Sequence, residues 1–305
     1  MAGSSPALVE SLSAGLAEVD ALLLRRVDHS DAFIAEASGH LLEAGGKRFR
    51  PLLTLLSSLL GSGPNESVVA AAAGVELTHL ASLYHDDVMD EASVRRSVST
   101  ANARYGNSTA ILVGDLLFGT ASDIVADLGP EAVKIQAQTF VRLCSGQIRD
   151  DRPCPAGVDP TEYYLGVLAD KTGVLIATAA RYGAMFGGCP PEVVETMREF
   201  GEQLGIAFQL ADDLIDIEST AQELGKTPGT DLREGKRTLP VIYVLASTDP
   251  ADARLQSLLL GDLSSDAALA EALESQVGAP GDRSTLEGGE AAVAMMVRHG
   301  ILTRS

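Results

Sequence analysis

Apolar residues recur at helical spacing along most of the chain. Leu8, Leu12, Leu16, Val19 and Leu22 to Leu24 form one stripe, and Phe33, Ile34, Ala37 and Leu41 a second. Residues 5–44 therefore predict two amphipathic helices. Gly45-Gly46-Lys47-Arg48-Phe49-Arg50-Pro51 interrupts the pattern; two glycines end a helix and Pro51 suits the first turn of the next. That next helix is predicted over 52–60 and stops at Gly61-Ser62-Gly63-Pro64. Further helices are predicted over 66–90, 109–128, 132–148, 161–187 and 193–216. Residues 91–105 read as a polar loop, 150–160 as a proline-rich connection and 219–238 as a mobile polar segment. Helical spacing returns at 239–246, 251–260 and 267–277. There is no alternation of strand and helix, no GxGxxG, no short tandem repeat and no linker. The expectation is one all-α domain spanning 1–305, atypical over 284–305, where Gly288-Gly289 interrupts any helix.

Composition narrows this. The chain has 305 residues, is 46% apolar and has no tryptophan, so its core must be built from Leu, Ala and Val, which suit helices. A formal charge of −19 excludes a nucleic-acid partner and disfavours adhesion to an anionic membrane. The three cysteines form no CxxC pair, which fits thiols in a reducing cytoplasm. Residues 1–10 have no basic region and no long apolar core, so no secretory signal is expected. Apolar runs such as 52–60 are too short to cross a bilayer, so no transmembrane segment is expected.

The chemistry sits in two acidic clusters. His85-Asp86-Asp87-Val88-Met89-Asp90 places carboxylates at i, i+1 and i+4, and Asp212-Asp213-Leu214-Ile215-Asp216 repeats the triad. Each ends a predicted apolar helix. A helix C-terminus carries partial negative charge, so three aspartates there oppose stability unless cations arrive. On a helical wheel Asp86, Asp90 and His79 share a stripe with Ser82 close by, and Gln209, Asp213 and Asp216 share another. If the two helices face each other, six carboxylates line one cavity. Carboxylates without thiolates or a histidine cluster select hard cations, and Mg²⁺ is typically held by one or two of them plus substrate phosphates. Basic residues flank both clusters: Lys47, Arg48 and Arg50 beside the glycine pair, Arg95 and Arg96 after the first triad, Lys226, Lys236 and Arg237 after the second. Arginine binds phosphate through two parallel bonds and lysine as a point charge. The pattern fits two anionic groups, one metal-bound and one held by Lys and Arg.

Over residues 35–245 the sequence resembles the trans-type (E) isoprenyl diphosphate synthases, or polyprenyl synthetases. The residues that carry this are GGKRFRP (Gly45 to Pro51), HDDVMD (His85 to Asp90), Arg95-Arg96, Gly146-Gln147, Lys171-Thr172, FQLADDLID (Phe208 to Asp216), Gly225-Lys226 and EGKRTLP (Glu234 to Pro240). The resemblance implies a single large helical bundle of the isoprenoid synthase type around a central cavity. It implies that Asp86, Asp87, Asp90 and Asp212, supported by Asp213 and Asp216, ligate Mg²⁺ (three ions per site, with Mn²⁺ as an alternative). Arg95, Lys171, Thr172, Gln209, Lys226 and Lys236 would contact an allylic diphosphate. Lys47, Arg50, His79 and Arg96 would hold isopentenyl diphosphate. It further implies a cytoplasmic homodimer. Ala81 and Ser82, the residues five and four before Asp86, would set product length; both are small, so a long product, beyond C20, is expected. Ser97 stands where the family usually has glycine, a turn position at which φ > 0 would be strained. Alternatives are a short-chain farnesyl or geranylgeranyl diphosphate synthase, a class I terpene cyclase, and a subunit of a heteromeric synthase.

Overall fold

The computed structural model describes residues 5–218, 229–233 and 235–261, and the single positions 263, 265, 269 and 272. Among them the fold is all-α with one small hairpin, as the apolar spacing predicts. The chain divides into two compact units, each assembled from separated segments: Met1–Cys144 with Gly173–Glu202, and Ser145–Thr172 with Gln203–Ser305.

The first unit is built around α4, Glu66–Met89. Asn65 caps it by accepting from the Val68 N–H at 3.0 Å. The helix is apolar on nearly every side because neighbours cover nearly every side. Val69, Ala72, Ala73, Leu77, Leu80, Ala81 and Tyr84 pack with residues of α1 (Pro6–Val27), α2 (Ala32–Glu43) and α6 (Asn107–Ala126). Each fully buried Leu or Val contributes about 1.5–3 kcal/mol relative to exposure. The Tyr84 hydroxyl donates to the Ala37 carbonyl at 2.6 Å, which ties α4 to α2. Helix α3 (Phe49–Ser58) packs on α9 (Val174–Phe186) and on α4. Two pairs of buried polar side chains meet in the core: Gln136 Nε2 donates to Thr78 Oγ1 at 2.6 Å, and the Thr139 and Thr178 hydroxyls meet at 2.6 Å.

Residues 91–105 differ from the predicted loop. Strands β1 (Val94–Arg95) and β2 (Val98–Ser99) form an antiparallel hairpin, followed by α5, Ala101–Tyr105. Two-residue strands are too short to show alternation in the sequence. The length expectation for membrane spans also needs correction. Both α4 and α6 have the length and hydropathy of a spanning helix, with 78% and 39% of their apolar windows buried in the protein. For α4 the core accounts for this. Helix α6 leaves Ile111, Leu112 and Leu116 exposed, alongside exposed Asp115 and Asp123.

The second unit takes the end of α7 (Pro130–Asp150), α8 (Pro160–Leu168), all but the last residue of a π-helical turn over Ala169–Gly173 and the second half of α10 (Pro191–Glu218). Leu168, Ile206, Leu210, Leu214 and Leu239 form one apolar cluster. A second cluster joins Leu232, Val241 and Leu255 to Leu263, Leu269 and Ala272. A short helix, α11 (Thr230–Arg233), lies inside the segment predicted to be mobile; α12 (Leu239–Ala246) and α13 (Ala253–Leu259) follow. Lys226, most of the helix predicted over 267–277, and the atypical stretch 284–305 lie outside the described residues.

Candidate active site

At the end of α4 the three aspartates differ. Asp86 is half-buried, Asp90 is exposed at the C-cap, and Asp87 is 0% exposed. Asp87 Oδ1 accepts from Arg95 Nε at 2.5 Å, and its buried Oδ2 has no hydrogen-bond partner. Burial pushes the Asp87 carboxyl above the usual range; Arg95 pulls it back down, and Asp90 adds to the rise. The hairpin supplies Arg95. Its two turn residues, Arg96 and Ser97, have φ of 52° and 64°, the left-handed pair of a type I′ turn. Positive φ at Ser97 is the strain expected where glycine is usual.

Arg96 points to the glycine loop. Its Nη1 donates to the Leu41 carbonyl at 2.8 Å and to the Gly45 carbonyl. A Cβ on Gly46 would lie 3.0 Å from the Arg96 guanidinium, and φ there is 153°. Only glycine fits at both levels. Arg48, also left-handed at φ 47°, is held by three acceptors: Asp20 Oδ1 at 2.8 Å, Glu76 Oε1 at 3.2 Å and the Leu42 carbonyl at 3.2 Å. These contacts fix the loop that carries exposed Lys47 and the start of α3 that carries Arg50. Arg50 is pulled down to about 10, first by burial, with Glu76 opposing and Arg96 adding. His79 falls well below its ordinary 6.5 through burial and then Arg50, Arg96, Arg95 and Arg48. A nest of arginines around a neutral imidazole, with buried Glu76 as a shared counter-charge, is a place where an anion is electrostatically welcome.

In the second unit, Tyr164 on α8 donates its hydroxyl to Asp213 Oδ2, and Gln209 Nε2 donates to Asp213 Oδ1 at 3.2 Å. Asp213 is buried and its carboxyl is raised to about 7; desolvation outweighs the two hydrogen bonds, and Asp231 and Asp212 add like charge. Asp216 is buried too, and its Oδ2 accepts from the Asp231 N–H at 3.1 Å. Asp212 alone of this triad is exposed. Lys171 sits in the π-helical turn, a feature frequent at functional sites. That turn lies directly on Gly146, where a Cβ would be 2.5 Å from the Lys171 backbone nitrogen. Lys171, Thr172, Gln209, Asp213 and Lys236 line one cavity of about 770 Å³. Lys171 and Lys236 both reach Asp150, at 2.7 and 3.5 Å.

The structure thus brings together Arg50, His79, Arg95 and Arg96 with the first triad in one unit. It brings Lys171, Thr172, Gln209 and Lys236 together with Asp213 in the other. Asp212 and Asp216 are not among the residues lining the second unit's cavity. Ala81 is wholly buried in the core of α4, and Ser82 is half-buried with its hydroxyl on the His79 carbonyl at 2.8 Å. Glu76, Tyr164 and Asp150 were not singled out from the sequence; nothing local distinguishes them, and only a long-range partner marks each. Among the described residues no three His, Cys, Asp or Glu side chains converge as a ready-made metal centre. The donor sets of each unit still suit a hard cation: in the first, Asp86 and Asp90 offer carboxylate oxygens at accessible positions and the buried Asp87 Oδ2 is an unanswered acceptor, and in the second Asp212 is exposed.

Comparison with known proteins gives one answer. The family model described as polyprenyl synthetase matches residues 31–276. A nonaprenyl diphosphate synthase from Mycobacterium tuberculosis is 49% identical over 272 residues, covering 89% of this chain and 81% of that one. A geranylgeranyl pyrophosphate synthase from Corynebacterium glutamicum, solved with calcium and isoprenyl diphosphate, is 41% identical with a TM-score of 0.82, covering 99% and 93% of the two chains. A decaprenyl diphosphate synthase from Rhodobacter capsulatus is 35% identical with a TM-score of 0.82, covering 94% and 88%. The chain belongs to the polyprenyl synthetase family of trans-type isoprenyl diphosphate synthases, and it is an enzyme that transfers prenyl groups.

Proposed function

We propose that the protein condenses isopentenyl diphosphate head-to-tail with an allylic diphosphate, releasing pyrophosphate, and repeats this to make an all-trans polyprenyl diphosphate beyond C20. The observation that carries the reading is the cluster of Arg48, Arg50, Arg95 and Arg96 around buried Glu76 and His79. A terpene cyclase has no second diphosphate to place there. Lys47, Arg50, His79 and Arg96 bind the isopentenyl diphosphate. Arg95, Lys171, Thr172, Gln209, Lys226 and Lys236 bind the allylic diphosphate. Bound Mg²⁺, held by Asp86, Asp90 and Asp212 with Asp87, Asp213 and Asp216 in support, would supply positive charge to the departing pyrophosphate. Three ions fit the family pattern.

The allylic C–O bond breaks with its electron pair going to pyrophosphate, the isopentenyl double bond attacks the resulting cation, and a proton leaves to the pyrophosphate. Charge builds on the leaving group during this step, so prepositioned Lys and Arg stabilise the transition state more than the bound substrate. The apolar lining contributed by the helices keeps water from the cation.

Product length is assigned to Ser82 and Ala81. Ala81→Phe would overpack the core at a cost of about 1–3 kcal/mol, so Ser82→Phe is the cleaner probe. Mass analysis of products from farnesyl or geranylgeranyl diphosphate with isopentenyl diphosphate and Mg²⁺ tests the whole reading: products of C20 or shorter would overturn the length assignment. The apolar, largely uncovered face of α6 supports a homodimer, because Asp115 and Asp123 beside it suit a protein partner better than lipid. Sedimentation would report it. Three free thiols fit action in the cytoplasm.

A further inference from the structure

Lys171 and Lys236 come from separate segments, yet both ammonium groups end on one oxygen. Asp150 Oδ2 accepts from Lys171 Nζ at 2.7 Å and from Lys236 Nζ at 3.5 Å. Asp150 is the last residue of α7 and is followed at once by Asp151. A carboxylate at a helix C-terminus is disfavoured by the dipole, and an adjacent like charge adds to the cost. Local stability selects against aspartate here. Two lysines drawn to one point repel in turn. The shared oxygen relieves both problems. Asp151, Asp213 and Asp231 line the same cavity with Arg149, Arg152 and Arg237, and among these charges the two lysines are the ones that meet on Asp150. A non-bridging diphosphate oxygen offers the lysines what Asp150 Oδ2 offers: a negative oxygen accepting two N–H bonds.

We propose that Asp150 is the resident counter-ion of the diphosphate subsite. It positions Lys171 and Lys236 while the subsite is empty and competes with diphosphate for them, so it sets how readily pyrophosphate leaves. The proposal rests on the prenyl-transfer reading above and deepens it. In an enzyme that repeats its condensation, pyrophosphate must leave before the diphosphate of the lengthened chain can take its place. A subsite that binds pyrophosphate too firmly would stall after each addition.

The test is calorimetric titration of inorganic pyrophosphate, with and without Mg²⁺, into wild type, Asp150→Asn, Asp150→Glu and Asp151→Asn, together with steady-state kinetics. Asp150→Asn should bind pyrophosphate roughly tenfold more tightly, the scale of one removed like charge in a partly screened site. Its KM for the allylic diphosphate should fall, and its kcat should fall because release is slower. Asp150→Glu should restore wild-type behaviour. Asp151 lines the same cavity, is exposed, and accepts from Gln147 at 3.4 Å; its asparagine variant removes the same charge and should stay within about twofold of wild type. Weaker pyrophosphate binding by Asp150→Asn in either buffer would overturn the proposal, since a purely structural brace or a metal ligand gives that result. Equal tightening by Asp151→Asn would also overturn it, as general charge. Asp150→Ser supplies the same neutral test should the asparagine variant not fold. Wild type that binds pyrophosphate but transfers no prenyl group would refute the activity and leave the titration result standing.

Discussion

At the end of α4, Asp86 and Asp90 are accessible while Asp87 is buried against Arg95; on α10 only Asp212 is exposed, and Asp213 and Asp216 are both buried. The two triads share spacing, but the chain uses them differently. Asp87 has a cationic partner. Asp213 has neutral ones, Tyr164 and Gln209, and its carboxyl rises to about 7. Asp216 is turned inward to hold the backbone of Asp231. Equal spelling therefore does not give equal roles: position within the triad and the neighbour on the next element decide which carboxylate is presented and which is braced.

The largest expected effect tests the presented class. Asp86→Ala and Asp212→Ala should each lower kcat by about 10³-fold or more with unchanged circular dichroism, the scale of losing a transition-state charge contact. Near-normal Mg²⁺-dependent turnover in either would remove it from that class. Asp216→Ala should instead show as lost stability, about 1–3 kcal/mol, from the abandoned N–H of Asp231.

The braced class is tested next. Arg95→Ala leaves the Asp87 carboxylate buried without its cation. Since Arg95 is about 30% exposed, a discounted loss of about 2–3 kcal/mol is expected by denaturant titration. Adding Asp87→Asn should recover most of it. No recovery would mean that Arg95 stabilises through packing.

A smaller effect follows from His79. In the ligand-free protein the folded chain refuses the proton, whereas the unfolded imidazole takes it near 6.5. Below that pH the unfolded state binds more protons. Stability is therefore full above 6.5 and falls as pH drops, by up to about 1.4 kcal/mol per pH unit. His79→Asn should flatten that slope between pH 7 and pH 5.5. The smallest change is Ser97→Gly, which relieves a left-handed serine and should stabilise the fold by about 0.5–1 kcal/mol in thermal unfolding.

Much of this was readable from residue spacing. The helix ending in Asp90 was legible because its apolar run is long, and the stripe of Asp86 and Asp90 follows from the turn length alone. Asp87 falls off that stripe, but nothing in the sequence says that Arg95 waits there; a hairpin of two-residue strands leaves no periodic trace. Asp150 and Tyr164 escaped for a related reason. Their partners Lys171, Lys236 and Asp213 are distant in sequence, and charge pairing over long separations has no local signature. Ser97 was legible only through the resemblance, which places glycine there; the residues themselves read as a polar loop and did not show the hairpin turn.

The π-helical turn lying on Gly146 has a consequence for the placement of charge. Because the Lys171 main chain occupies the space of a missing methyl group, the position of its ammonium is anchored in the backbone and not only in a flexible side chain. Gly146→Ala would thus shift an electrostatic centre while removing no charged atom. On the diphosphate-binding role proposed for Lys171, an enzyme altered in this way would keep every functional group and still hold its leaving group in the wrong place.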